Sequence, residues 1–111
     1  MLVSRSSPFG GKARTLVLLA LSLLGESFPR QLARLLQMPL NGVQQALAGL
    51  EIDGLVAARL AGRTRLYTLN PRYFARKELQ AFLKRLSKAE TELVARTEQL
   101  RSRPRRTGKP L

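Results

Sequence analysis

Residues 27–69 read SFPRQLARLLQMPLNGVQQALAGLEIDGLVAARLAGRTRLYTL, and the way this stretch divides decides the fold. Ser27 is the expected N-cap of a first helix. Pro29 suits its opening turn, where the amide that proline lacks would have no partner. Leu32, Leu35 and Leu36 then recur at helical spacing with Ala33 beside them, and Arg30 and Arg34 fall one turn apart on the outer side. Gln37-Met38-Pro39 interrupts the pattern, because the residue before a proline is pushed away from helical geometry; Met38 is placed to plug the space between two helices. From 40 to 53 the spacing predicts a second helix, with Val43, Ala46, Leu47 and Leu50 inside and Asn41, Gln44, Gln45 and Ala48 outside. Gly42 and Gly49 each weaken that helix by roughly 1 kcal/mol relative to alanine. Tertiary contacts must therefore hold it, or Gly42 admits a close approach from outside. Gly54 stops it. Residues 56–60 and 64–69 then read as strands around Ala61-Gly62-Arg63, the pattern of a hairpin. Helix, turn, helix and hairpin in this order outline a helix-turn-helix followed by a wing.

The flanks extend that core. Residues 13–24 are strong helix formers closed by Gly25. Leu16, Leu19, Ala20 and Leu23 form one stripe, and Val17, Leu18, Leu21 and Leu24 make the opposite side apolar too. A helix apolar all round must be covered on both sides. The winged unit covers one, so the other requires a helix from this chain's C-terminus or from another subunit. Residues 1–12, with Ser, Pro, Gly and the cations Arg5 and Lys12, read as a flexible arm able to touch phosphates together with Arg14. Asn70-Pro71 ends the winged unit, and Tyr73 and Phe74 anchor the start of the C-terminal segment.

Residues 73–101 contain neither glycine nor proline, and the spacing predicts one long helix with Leu79, Phe82, Leu86, Ala89, Leu93 and Leu100 on its stripe. At about 1.5 Å per residue it would reach about 42 Å, more than a domain of this size can cover. The expected solution is a homodimer through Leu18, Leu21, Leu79, Phe82, Leu86, Leu93 and Leu100; the alternative is packing of its first half on the 13–24 helix of the same chain. Residues 102–111 carry Arg103, Arg105, Arg106 and Lys109 with no acid and read as a disordered basic tail. The fold class is mainly α with a small β-hairpin: arm 1–12, winged helix-turn-helix 13–72, C-terminal dimerisation helix 73–101, tail 102–111.

Composition narrows the function. The 111 residues carry 20 Lys and Arg against 7 Asp and Glu, a formal charge of +13, which nominates a polyanionic partner. The absence of Cys and His removes thiolate and imidazole metal sites, cysteine nucleophiles and histidine bases. There is no Gly-Lys-Ser/Thr phosphate loop either, so neither an enzyme, a metal nor a cofactor is expected. The apolar run 16–24 is too short to span a bilayer, which takes about 20 residues. It is also not followed by a cleavage pattern, and the tail has almost no apolar anchors. A cytoplasmic, nucleoid-associated protein that avoids membranes is expected.

Among polyanions, double-stranded DNA fits best. Asn and Gln can bond adenine through paired donor and acceptor groups in a major groove, and short side chains allow close approach; the plain alternative is a solvated helix face. Arg59, Arg63 and Arg65 crowd the hairpin with no acid between Asp53 and Glu78, which favours phosphate contact, although a charged tip also guards a sheet edge.

The run LARLLQMPLNGVQQALAGLEIDGLV resembles the helix-turn-helix of ArsR-type and related bacterial winged-helix transcriptional regulators, with Leu47, Leu50, Gly54, Leu55 and Val56 at the recurring apolar and glycine positions. AGRTRLYTLN resembles their wing, and the likeness covers residues 13–74. By that resemblance Asn41, Gly42, Gln44 and Gln45 fall where recognition-helix residues read bases, and Arg63 and Arg65 where wing residues meet the backbone. Gln37 stands where the tight turn usually has Gly, and Leu40, Asn41 and Gly42 replace the common Ser and Thr start. The Cys, His and acidic clusters of the metal-sensing branch are missing. The resulting expectation is a dimeric, sequence-specific DNA-binding regulator, with Arg14, Arg30, Arg34, Arg59, Arg63 and Arg65 on the backbone. Rival readings are a winged-helix module docking on an enzyme or toxin, and an RNA binder, for which few aromatics offer little base stacking.

Overall fold

The computed structural model describes residues 9–102; the expectations for residues 1–8 of the arm and 103–111 of the tail lie outside them. The elements are α1 (Lys12–Leu24), β1 (Glu26–Ser27), α2 (Pro29–Leu36), α3 (Leu40–Ile52), β2 (Val56–Ala61), β3 (Thr64–Leu69), α4 (Arg76–Ser87) and α5 (Thr91–Ser102).

α1 lies at the centre. Every residue from Thr15 to Leu21 is buried, and α1 packs against α2, α3, α4, α5 and β3. Thr15 can sit there because its hydroxyl donates to the Gly11 carbonyl at 3.1 Å. Gly25, at φ 87°, closes the helix with its amide on the Leu21 carbonyl at 2.8 Å.

α2 begins with Pro29 at its first turn, but Phe28 is the N-cap and no side chain caps the end. Ser27 belongs instead to β1, whose two residues pair antiparallel with β3 through Glu26↔Thr68 and Ser27↔Tyr67. Its backbone is engaged in the sheet and its hydroxyl donates to Gln31 Oε1, so the chain enters the helix one residue later than expected. The hairpin therefore grows into a three-stranded sheet, ordered β1-β3-β2. β2 and β3 pair from Val56↔Leu69 to Ala61↔Thr64, with Gly62 at φ 66° in the turn. Asn70 closes the base of the wing: its amide donates to the Leu55 carbonyl and its side chain to the Gly54 carbonyl, both at 2.9 Å.

The largest departure is at the C-terminus. Residues 73–101 are not one helix but two, because the chain turns after Ser87. Lys88, Ala89 and Glu90 donate to the carbonyls of Arg85, Leu86 and Ser87, a tightened turn of i→i−3 bonds, and α5 restarts with the Val94 amide on the Glu90 carbonyl. Ser87 Oγ donates to the Lys84 carbonyl at 2.6 Å, a local bond that competes with helix continuation. The physical reason is the side of α1 that the winged unit leaves uncovered. A straight helix meets it along one line, whereas the bend lets α4 bury Leu79, Leu83 and Leu86 and α5 bury Leu93 and Thr97.

Covering α1 thus falls to this chain's own C-terminus. Of the residues expected between subunits, Leu18 and Leu21 are fully enclosed, Leu79, Leu86 and Leu93 are buried, and Leu100 is half-buried within the single chain. Phe82 stays 38% exposed, its ring edge-on to Phe9 with centroids 5.8 Å apart. Since Leu83 is enclosed without any second copy, Leu83→Ala is expected to cost about 2–5 kcal/mol in chemical unfolding. A loss below about 0.5 kcal/mol, the range of surface substitutions, would remove α4 from the core.

Candidate nucleic-acid interface

α3 separates its residues cleanly. Val43, Ala46, Leu47 and Leu50 are buried, while Asn41, Gln44, Gln45 and Ala48 are exposed. The outer face therefore presents amides and a methyl group with no acid among them. A side chain at Gly42 would meet only Met38 Cε, at 4.0 Å. Nothing inside the fold demands glycine there. Gly49 differs, because a side chain there would collide with the Arg14 guanidinium.

Arg14 lies across α3 at that glycine, its Nη1 donating to Asp53 Oδ2 at 2.9 Å and to the Phe9 carbonyl at 3.4 Å. It ties the start of α1 to the end of α3. The cations expected on a DNA backbone thus fall into two groups. Arg30 and Arg34 on α2 and Arg63 at the hairpin tip are exposed and have no acid partner among the described residues. Arg59 and Arg65 are engaged.

Arg59 meets Glu26 with both a 3.0 Å and a 3.1 Å bond, bracing β2 against β1. Arg65 donates to the Tyr67 hydroxyl at 3.1 Å and to Glu51 on α3 at 3.1 Å, with its guanidinium 5.7 Å from the Tyr67 ring centre. The Tyr67 hydrogen bond and the Glu51 carboxylate push its pKa above the ordinary arginine value. Both pairs are solvent-exposed, a setting in which an ion pair contributes at most about 1 kcal/mol, so an incoming phosphate can compete for either arginine.

Arg96 interrupts the apolar stripe of the C-terminal segment, and periodicity alone gives it no role. In the fold it reaches across to the helix-turn-helix. Nη1 donates to the Leu35 carbonyl at 3.0 Å, and Nη2 donates to Gln37 Oε1 at 3.4 Å and to Glu92 Oε2 at 2.8 Å. A cation here satisfies a last-turn carbonyl of α2 and faces the negative end of that helix. It also holds the side chain of Gln37, the one non-glycine residue with positive φ, 55°, among the described residues. A residue with a Cβ in the left-handed region costs roughly 1–2 kcal/mol, and the Arg96 contact offsets part of that. The sequence signal is the Glu92–Arg96 pair at i,i+4, which reveals a charged joint but not its far partner.

Among the described residues no group of three or more His, Cys, Asp or Glu could hold a metal, and no helix is long and apolar enough to cross a membrane. The arrangement of α2, turn, α3 and β2-β3 is a winged helix-turn-helix. No family model and no curated protein matches the chain. Among solved structures it is similar to the transcriptional regulator HlyU from Vibrio vulnificus CMCP6, with 28% identity over 79% of this chain and 85% of that one, at a TM-score of 0.59. The C30AH42A mutant of ZitR from Lactococcus lactis in apo form shares the fold, with 16% identity over 89% of this chain and 71% of that one, at a TM-score of 0.55. The likeness is to a transcriptional regulator and not to an enzyme.

Losing three hydrogen bonds of which Arg96 is the charged donor, Arg96→Met is expected to lower stability by about 1–3 kcal/mol and to speed hydrogen exchange at the Gln37 and Met38 amides. Unchanged exchange at those two amides would show that Arg96 does not hold the turn.

Proposed function

We propose that this protein is a sequence-specific, double-stranded DNA-binding transcriptional regulator that acts as a homodimer in the cytoplasm, at the nucleoid. The observation that carries the reading is the acid-free outer face of α3, with Asn41, Gln44, Gln45 and Ala48 exposed beside the cations Arg30, Arg34 and Arg63, which have no acid partner among the described residues. The likeness to the regulator HlyU supports it. α3 enters the major groove, where the amides of Asn41, Gln44 and Gln45 pair with base edges and Gly42 lets the helix come close. Arg30, Arg34 and Arg63 meet phosphates, and Arg59 and Arg65 join them by exchanging a carboxylate for a phosphate. The formal charge of +13 supplies the sequence-independent share of affinity.

Two copies place two recognition helices in successive major grooves about 34 Å apart. With Leu18, Leu21, Leu79, Leu86 and Leu93 enclosed in the chain, the second copy meets the aromatic groups left outside on α4 and its lead-in, Phe82 and the 91% exposed Phe74.

On a duplex selected from random sequence, Gln44→Ala and Gln45→Ala should each remove about 1–3 kcal/mol of discrimination between sites in fluorescence anisotropy. Arg63→Ala should weaken every duplex alike and lower the salt slope by about one. Absence of duplex binding at low salt would refute the reading. In sedimentation velocity Phe82→Asp should turn a dimer into a monomer; a wild-type protein that sediments as a monomer would remove the dimer.

A further inference from the structure

Three arginines are half-buried among the described residues: Arg14, Arg76 and Arg96. Arg14 has Asp53 and a carbonyl, and Arg96 has Glu92, an amide oxygen and a carbonyl. The Arg76 guanidinium has no hydrogen-bond or acid partner among the described residues. A guanidinium with no internal partner is free to take an anion.

Arg76 lines a cleft of about 510 Å³ between the end of α1, β3 and the start of α4, within the range of about 300–1,000 Å³ typical of small-molecule sites. Gln80 and Ser22 stand beside it, Leu69 and Pro71 supply apolar wall, and no acid lines it. The Thr68 hydroxyl at its edge is already donated to the Gly25 carbonyl at 2.9 Å, which leaves Arg76 as the charged donor. We propose that this cleft binds a small organic anion, a carboxylate on an apolar body, with the carboxylate on Arg76 and the body against Leu69 and Pro71. The planar guanidinium matches a carboxylate in bidentate fashion, and the apolar wall favours such a ligand over a bare inorganic anion. The site lies outside the recognition face of α3 and does not depend on the DNA reading.

The test is titration of the full chain with sodium benzoate at constant ionic strength, followed by amide NMR shifts, with neutral benzamide as the control for charge. Saturating shifts centred on Ser22, Gly25, Thr68 and Gln80 are expected, with benzamide much weaker. Loss of one charged donor pair in Arg76→Gln should weaken benzoate about 10- to 100-fold, and Arg76→Lys should retain part of the binding. Should Arg76→Gln fail to fold, Ser22→Leu, which narrows the cleft from α1, must block binding instead. Shifts that never saturate or spread over the surface cations, equal binding of benzamide, or wild-type binding by the variants would overturn the proposal. Absence of benzoate shifts, with duplex binding weakened by Arg76→Gln, would assign the arginine to a DNA phosphate and also overturn it. A protein that binds no DNA but shows the expected shifts would refute the regulator and leave this site standing.

Discussion

The constraint on which the structure depends is a helix with no polar side. From Leu16 to Leu21, α1 offers no side chain that water could usefully hydrate, and each large aliphatic side chain taken out of water contributes about 1.5–3 kcal/mol. α2, α3 and β3 enclose part of its surface, which is the work of any winged unit. The rest must be enclosed by something, and the chain supplies α4 and α5. Their bend results from that need, since two short helices can meet a cylinder on two lines and a single straight one cannot.

Charge is distributed on a related logic. Acids sit where elements meet: Asp53 joins α3 to α1 through Arg14, Glu26 joins β1 to β2 through Arg59, Glu51 joins α3 to β3 through Arg65, and Glu92 holds Arg96 against the end of α2. Each exposed pair is individually weak; three of them bridge different elements, and the Glu92–Arg96 pair lies within α5. Among the described residues, the exposed arginines without an acid partner include Arg30 and Arg34 on α2 and Arg63 at the hairpin tip, beside Arg72 and Arg85 elsewhere. The outer face of α3, with Asn41, Gln44, Gln45 and Ala48, carries no charge and has Arg30, Arg34 and Arg63 beside it, so that in the proposed function phosphate attraction and base reading fall to different residues.

What could be read from the sequence was what is decided locally. The stripe of Val43, Leu47 and Leu50 implies its complement, so the exposure of Asn41, Gln44 and Gln45 is legible in periodicity, and Gly54 and Gly62 mark the helix end and hairpin turn because their backbone geometry favours glycine. What escaped was decided by distant partners. β1 is a strand only because β3, some forty residues later, lies beside it, and that pairing moves the α2 cap from Ser27 to Phe28. Arg14 reads as an outward cation because nothing near it in sequence reveals Asp53. The bend after Ser87 carries no glycine or proline, and its cause lies in α1. Of the expected interface, Phe82 remains outside, whereas Leu18 and Leu21 find their cover within the chain.

The reach of Arg96 to Leu35, 61 positions back, bears on the order in which the protein can be built. Hairpin and α3 can form soon after their residues emerge during synthesis, since their contacts are close in sequence. The end of α2 cannot be finished then, because its carbonyl waits for a guanidinium from the last helix. A growing chain therefore carries α3 on an incompletely anchored turn until α5 has emerged and docked, so the joint between α2 and α3 is among the last parts to become rigid.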